Sequence, residues 1–270
     1  MSIPITWVDA FSDVAFGGNP AAVCLLEEPL DDERMQSIAF ELGIAETAYL
    51  EPGDDPTTFD LRWFTPATEV DLCGHATLAA AHALREGGTV DGTSPLIFRT
   101  HSGPLRAAFD GDRIELDFPA DPVTPGPLPD PLKEQWPDVV VASGHTSFFS
   151  FVVLSSAGAV RDYVPDLAAI AATGTKALLL TAASAQPGSG ADYVLRVFGP
   201  NVGIDEDPAT GSAQCAAGPY WAAELGRDTL VARQLSPRGA VLYVRARGER
   251  VSIAGHATTV LTGHLCEGFA

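Results

Sequence analysis

The hexapeptide LRWFTP (61–66) returns 134 positions later as LRVFGP (195–200), with Leu, Arg, Phe and Pro at the same four of six places. Its surroundings return too. Each hexapeptide ends a strand-like stretch, enters an acidic loop, passes a turn of glycine and small residues, and opens an alanine-rich helical run closed by glycine. The first turn is CGHAT (73–77) and the second PATGSA (208–213). A repeat spaced by about half of a 270-residue chain predicts duplicated domains related by a pseudo-two-fold axis, with the two turns meeting across a cleft where ligands bind.

The bulk composition suits such a pair of domains. Hydrophobic residues make up 46% and charged residues 19% of the chain, a globular balance. The net charge is −19, and the 16 Lys and Arg form no runs, so neither a nucleic-acid partner nor a membrane surface is expected. MSIPITWVDAF (1–11) has no basic or apolar signal region, and no stretch approaches a membrane span. Cys24, Cys73, Cys215 and Cys266 are widely spaced and read as reduced thiols of a cytoplasmic protein.

Working outward, ITWVDAF (5–11) reads as a strand, and DDERMQSIAFELG (31–43) as a helix with Met35, Ile38, Ala39 and Leu42 on one face and Gly43 as its stop. ETAYLE (46–51) and TFDLRWF (58–64) read as strands, 74–86 as a helix, and LRAAF–DGD–RIELDF (105–118) as a hairpin. Residues 119–137 carry seven prolines in 19 positions, which predicts a linker or surface loop. Strands follow, then a helix over 211–225 ending at Gly226. The expected domains are therefore 1–118 and 138–270 around a 119–137 linker, with the last strand free to pack on the N-terminal domain.

Chemistry concentrates at the two turns. Gly74-His75-Ala76 and Gly211-Ser212-Ala213 are each expected to open a helix, whose first N–H groups lack intrahelical partners and can hold a carboxylate. Read singly, each glycine could equally serve a tight strand-to-helix turn. A metal at Cys73 and His75 lacks partners at ligand spacing, so no metal is expected. A Cys73 nucleophile with His75 as base looks awkward, since residues two apart on a helix do not face each other. Asp205, Glu206 and Asp207 offer an N-cap, or a carboxylate to orient His75. Glu46, among Ile44, Ala45 and Ala48, is either a strand or cap residue or a general acid–base whose pKa burial would raise.

Four segments, VDAFSDVAFGGNPAAV (8–23), ERMQSIAFELGIAETAYL (33–50), LRWFTPATEVDLCGHATLAAAHAL (61–84) and LRVFGPNVGIDEDPATGSAQCAAG (195–218), together resemble the phenazine-biosynthesis isomerase (PhzF-like) family, relatives of diaminopimelate epimerase. The resemblance implies an α/β (α+β) fold of two pseudo-symmetric domains, each a sheet wrapped around a central helix. It places the family's catalytic glutamate on Glu46, its histidine on His75 and its second-domain aspartate on Asp207. Asn19, Gly74, Gly211 and Ser212 fall on substrate-binding positions. Ala45 stands where a hydroxyl residue is common in the family. The implied activity is a cofactor-independent allylic proton shift on a small carboxylated metabolite, and the implied assembly is a homodimer. Two other readings stay open: an amino-acid epimerase or racemase using Cys73, and a non-catalytic metabolite-binding or interaction module.

Overall fold

Alternation in TFDLRWF buries Phe59, Leu61 and Trp63 on one side of a strand and leaves Asp60 and Arg62 partly exposed on the other. In the computed structural model, which describes residues 2–133, 135–136, 138–184 and 190–266, this strand belongs to the first of two compact units. One comprises Met1–Asp117 with Ala254–Ala270; the other is Phe118–Ile253.

In the first unit β1 (Ile3–Ala10) pairs antiparallel with β2 (Asn19–Leu25). Helix α1 (Asp32–Leu42) then crosses to β3 (Glu46–Pro52), parallel to β2, and β4 (Thr58–Phe64) returns antiparallel. The two-residue β5 (Glu69–Val70) folds back on β4, and α2 (Gly74–Glu86) crosses to β6 (Leu96–Thr100), parallel to β4. An antiparallel hairpin of β7 (Gly103–Asp110) and β8 (Arg113–Pro119) follows.

The second unit runs through the same sequence of moves. After β9 (Thr124–Pro125), β10 (Val140–His145) pairs antiparallel with β11 (Phe149–Leu154). Two short helices, α3 (Ala157–Arg161) and α4 (Leu167–Ala172), lead to β12 (Ala177–Ala183), parallel to β11, and β13 (Tyr193–Gly199) returns antiparallel. Then β14 (Ile204–Asp207) folds back on β13, and α5 (Gln214–Leu225) crosses to β15 (Thr229–Gln234), parallel to β13. β16 (Ala240–Arg247) and β17 (Arg250–Gly255) follow, and β18 (Ala257–Leu265), which belongs to the first unit, pairs antiparallel with β1. The duplication announced by the hexapeptides thus extends through the strand pairing of both units.

Each unit is built around its alanine-rich helix. Residues 75–81 of α2 are buried without a break, so the helix is covered on every side rather than along one stripe. Ala76, Ala79, Ala80 and Ala81 are each 0% exposed, and their small side chains let strands approach closely. On the other face of the first sheet, α1 lays Met35, Ile38 and Ala39 against Ile5, Cys24 and Tyr49. Asp31 caps this helix through the Arg34 N–H, and Gly43 ends it at φ +62°. Burying each of its two large apolar side chains contributes about 1.5–3 kcal/mol.

Two expectations about element ends are revised. The strand over 5–11 stops at Ala10 because Phe11 turns into the left-handed region at φ +63°. Gly255 leaves room for the Phe11 ring; a Cβ there would come within 2.5 Å of Cδ1. The helix expected from Gly211 begins at Gln214, since 211–216 is wound by i→i+3 bonds such as Gln214 N–H to Gly211 O. Pro219 inside α5 has no N–H for the Cys215 carbonyl, which instead accepts Asp121 N–H at 3.0 Å.

The proline-rich segment packs into the second unit. Thr124 and Pro125 pair with His145 and Gly144, and Leu132 and Trp136 join the core formed by Val152, Ile170, Leu180 and Phe198. Glu134 and Pro137 of this segment lie outside the described residues. Among the described residues no helix is long and apolar enough to cross a membrane.

Candidate active site

Period-two geometry decides where Glu46 points. In β3, Tyr49 directs its hydroxyl to the Met35 carbonyl of α1, so Glu46, Ala48 and Leu50 take the opposite face, toward α2. Ala21 of β2 is in register with Glu46, which puts Asn19, two positions earlier, on that same face. The first turn of α2 brings His75 up to them. Its Nε2 lies 3.0 Å from Glu46 Oε2, and its Nδ1 lies 3.2 Å from Asn19 Nδ2. Glu46, His75 and Asn19 are 8%, 7% and 1% exposed.

Cys73 joins this group, contrary to the argument that residues two apart on a helix cannot meet. It is the N-cap, outside the helix, with extended φ −143° and ψ 109°, and its Sγ lies 3.5 Å from His75 Nδ1 and 4.0 Å from Nε2. The helical spacing rule therefore does not apply to it. Thr77 ties the corner by donating its hydroxyl to the Cys73 carbonyl at 2.6 Å.

The electrostatics of the group are set by burial and proximity. Burial, and then the Glu46 charge, push the Cys73 thiol above its ordinary value, so it is neutral near pH 7. Burial works against a charged His75, but its contacts with the Cys73 sulfur and the Glu46 carboxylate outweigh burial and raise the imidazole well above 6.5. With the thiol protonated, the carboxylate is the anion that keeps His75 cationic near neutrality. An imidazolium donates from both nitrogens, and the Asn19 amide meets it by turning its oxygen to Nδ1, an orientation of the same shape. Glu46 Oε2, although 3.0 Å from Nε2, is buried without an aligned hydrogen-bond donor.

Asn19 is held by the loop of the segment VDAFSDVAFGGNPAAV (8–23). The Phe16 N–H donates to buried Asp9 at 2.6 Å, with Phe16 itself at φ +69°. Gly18 follows at φ +58°, where a Cβ would stand 2.0 Å from the Ala10 carbonyl oxygen. GGN is thus read first as backbone geometry and then as chemistry.

The second unit holds Asp207, Gly211 and Ser212 on the turn between β14 and α5. Thr210 donates its hydroxyl to Asp207 at 2.7 Å. Two buried glutamines support the turn. Gln234 accepts the Thr210 N–H at 2.8 Å and donates to the Asp207 carbonyl at 2.6 Å, and Gln214 donates to the Thr210 carbonyl at 3.3 Å. Sequence reasoning passed over both, though a glutamine opening an apolar helix, as in AQCAAG (213–218), signals a buried polar group.

The hexapeptide echo has a structural meaning of its own. Arg62 holds Glu69 with two 2.7 Å bonds, and its guanidinium lies 5.2 Å from the Phe64 ring centre. Arg196 holds Glu206 with bonds of 2.7 and 2.9 Å and lies 4.8 Å from the Phe198 ring centre. Arg and Phe of each L-R-x-F-x-P thus fix the fold-back strand that precedes the turn. Glu206 is spent on this clamp, while Asp207 bonds to the turn.

A mixed α/β protein with duplicated halves and a buried Glu–His pair at a helix start belongs among the epimerase-like folds. Residues 8–263 match the family model described as phenazine biosynthesis-like protein. An uncharacterized isomerase of Halalkalibacterium halodurans is 41% identical across 98% of this chain and 99% of its own. Of solved structures, a phenazine biosynthesis PhzF family protein of Enterococcus faecalis has a TM-score of 0.92 at 36% identity, over 98% of this chain and 100% of that one. A predicted epimerase of Pseudomonas aeruginosa has a TM-score of 0.73 at 27% identity, over 98% and 100%. The chain belongs to the phenazine biosynthesis-like family and is an isomerase.

Proposed function

We propose that this isomerase moves a proton between two carbons of a small, unsaturated, carboxylated metabolite, with Glu46 as general base and then general acid. The observation that carries this reading is the state of Glu46 Oε2: buried, without an aligned donor, and 3.0 Å from His75 Nε2. A carboxylate has lone pairs besides the one that faces His75, and one of these takes the proton from carbon. The C–H electron pair becomes part of a shifted double bond, and the same proton returns from Glu46 to a second carbon. Positioned acid–base groups of this kind contribute about 10²–10⁴ in rate. His75, cationic beside the carboxylate, steadies the negative charge that develops on the substrate. Asn19 and the Gly74 backbone N–H are proposed to orient the substrate. From the family resemblance, Asp207, Gly211 and Ser212 are proposed to complete its binding.

The contact of Cys73 with His75 supports a second reading, in which Cys73 is the acid–base group of an epimerase. Solvent deuterium exchange into turned-over substrate separates the two. Glu46→Gln keeps the shape of the side chain and is expected to abolish exchange while ligand binding persists; exchange at the wild-type rate would overturn the assignment. Cys73→Ser is expected to leave exchange in place, and its loss there with Glu46→Gln still active would establish the epimerase reading.

A further inference from the structure

Three neighbouring side chains, Glu46 with Cys73 and His75 beside it, also match the donor set of a tight metal centre. Glu46, Cys73 and His75 each offer one ligand atom, and these atoms lie within 4.8 Å of one another. The donors are a carboxylate oxygen, a thiol sulfur and an imidazole nitrogen, the mixture from which three-ligand zinc sites are built. We infer that Glu46 Oε2, Cys73 Sγ and His75 Nε2 form a binding site for a thiophilic divalent cation, Zn²⁺ or Cd²⁺, whose occupancy blocks the proton-transfer group.

Geometry carries the inference. Around tetrahedral zinc with ordinary bond lengths, sulfur and nitrogen ligands stand about 3.5 Å apart, and nitrogen and oxygen ligands about 3.3 Å. Here Oε2 to Nε2 is 3.0 Å, while Sγ lies 4.0 Å from Nε2 and 3.5 Å from Nδ1, so closing the site requires the Cys73 thiol to rotate from the Nδ1 side toward Nε2. Glu46, 8% exposed, presents a buried oxygen with no aligned donor to satisfy it.

Charge balance favours the same species. Binding releases one proton from the Cys73 thiol and one from the His75 imidazolium to solvent. A dication, a thiolate, a carboxylate and a neutral imidazole then sum to zero, which suits a buried site. With Nε2 on the metal, His75 Nδ1–H donates to the Asn19 amide oxygen, the outer-sphere bond that metal-bound histidines need. Three protein ligands leave a fourth position for water or a substrate carboxylate. The expectation that Cys73 and His75 lack a metal partner overlooked Glu46, because the third ligand is 27 positions upstream of Cys73 on another element.

Binding is independent of the proposed reaction; only the inhibition rests on it. The test is titration of the untagged full chain carrying Cys266→Ser, which removes the exposed thiol, with CdCl₂. Thiolate-to-cadmium absorption in the ultraviolet is the readout. One equivalent should develop the band and EDTA should reverse it. Cys73→Ser should remove it, and Glu46→Gln and His75→Gln should each weaken binding at least about tenfold. An absent band, or one that survives Cys73→Ser, overturns the site. If a variant misfolds, the unmutated pocket still decides. ZnCl₂ should slow alkylation of Cys73, followed by peptide mapping, at least about tenfold; an unchanged rate overturns the proposal.

Discussion

Glu46 Oε2 and His75 Nε2 stand 3.0 Å apart between the first residue of β3 and the first turn of α2, with both side chains nearly closed to solvent. Each group changes what the other can do. The carboxylate favours the imidazolium, and the imidazolium holds positive charge where the substrate's electrons are proposed to collect.

A titration follows from this pair. The His75 ring, tracked by NMR, is expected to lose its proton well above 6.5 in the wild type, and closer to 6.5 in Glu46→Gln. A folded-state value raised above the unfolded one stabilises the fold at low pH. The contribution is complete below about 6.5 and is lost as pH rises through the folded value. Chemical denaturation should therefore show the stability gap between wild type and Glu46→Gln narrowing as pH is raised through that range. A His75 midpoint at or below 6.5 would contradict the electrostatic account.

The duplicated clamps should differ in cost although their sequences match. Arg196 is enclosed: its side chain is 9% exposed, it grips Glu206, and its Nη1 donates to the Tyr163 carbonyl at 2.6 Å and the Arg161 carbonyl at 3.2 Å. Arg196→Met strands a half-buried carboxylate and the carbonyls of Val160, Arg161 and Tyr163, with an expected loss of about 3–5 kcal/mol. Arg62 and Glu69 keep 24% and 27% of their side-chain surface, so Arg62→Met should cost about 1 kcal/mol. Urea unfolding of the two variants compares them directly, and equal losses would refute the argument from burial.

Much of this was legible because it depends on spacing. Periodicity alone places α1 and α2, with their stops at Gly43 and Gly87, and the L-R-x-F-x-P echo anticipates matched halves. What escaped depends on local backbone detail. Whether Cys73 faces His75 turns on one φ/ψ pair at the cap, which composition does not encode. The late start of α5 reflects an i→i+3 turn whose residues, Gly211 to Ala213, could equally have been helical. Gln214 and Gln234 stand 20 positions apart, and only the fold brings both to Thr210. The proline-rich segment was likewise read as linker because its prolines exclude a helix interior or central strand, yet its short turn Asp130–Leu132, with Pro129 as cap, inserts Leu132 into the core.

The glutamine support predicts a split between stability and binding. Gln234→Ala removes the acceptor of the Thr210 N–H and the donor to the Asp207 carbonyl, leaving both buried groups without these partners. The expected cost is about 2–3 kcal/mol. If the turn it holds binds substrate as proposed, KM should rise more than kcat falls, because the proposed acid–base residue Glu46 is untouched. Steady-state kinetics below the melting transition measure the split, and a pure kcat effect would count against a binding role for this turn.

A final prediction concerns how closely α5 approaches its sheet. A Cβ at Gly218 would stand 2.7 Å from Val244 Cγ1 and 3.6 Å from Val251 Cγ1. Gly218→Ala gains less than the usual helix-propensity benefit of about 1 kcal/mol, because Pro219 follows and disfavours helical backbone for a residue with a Cβ. It also forces β16 or α5 to give way, at about 1–3 kcal/mol for an overpacked core. The close contact is with one branch of one valine, so Val244→Ala should remove most of the clash and leave the propensity gain. Denaturation of the two single variants and the double variant closes the cycle, with a coupling of about 0.5–3 kcal/mol expected for residues in contact. Additive losses would mean that backbone, rather than Val244, sets the distance between helix and sheet.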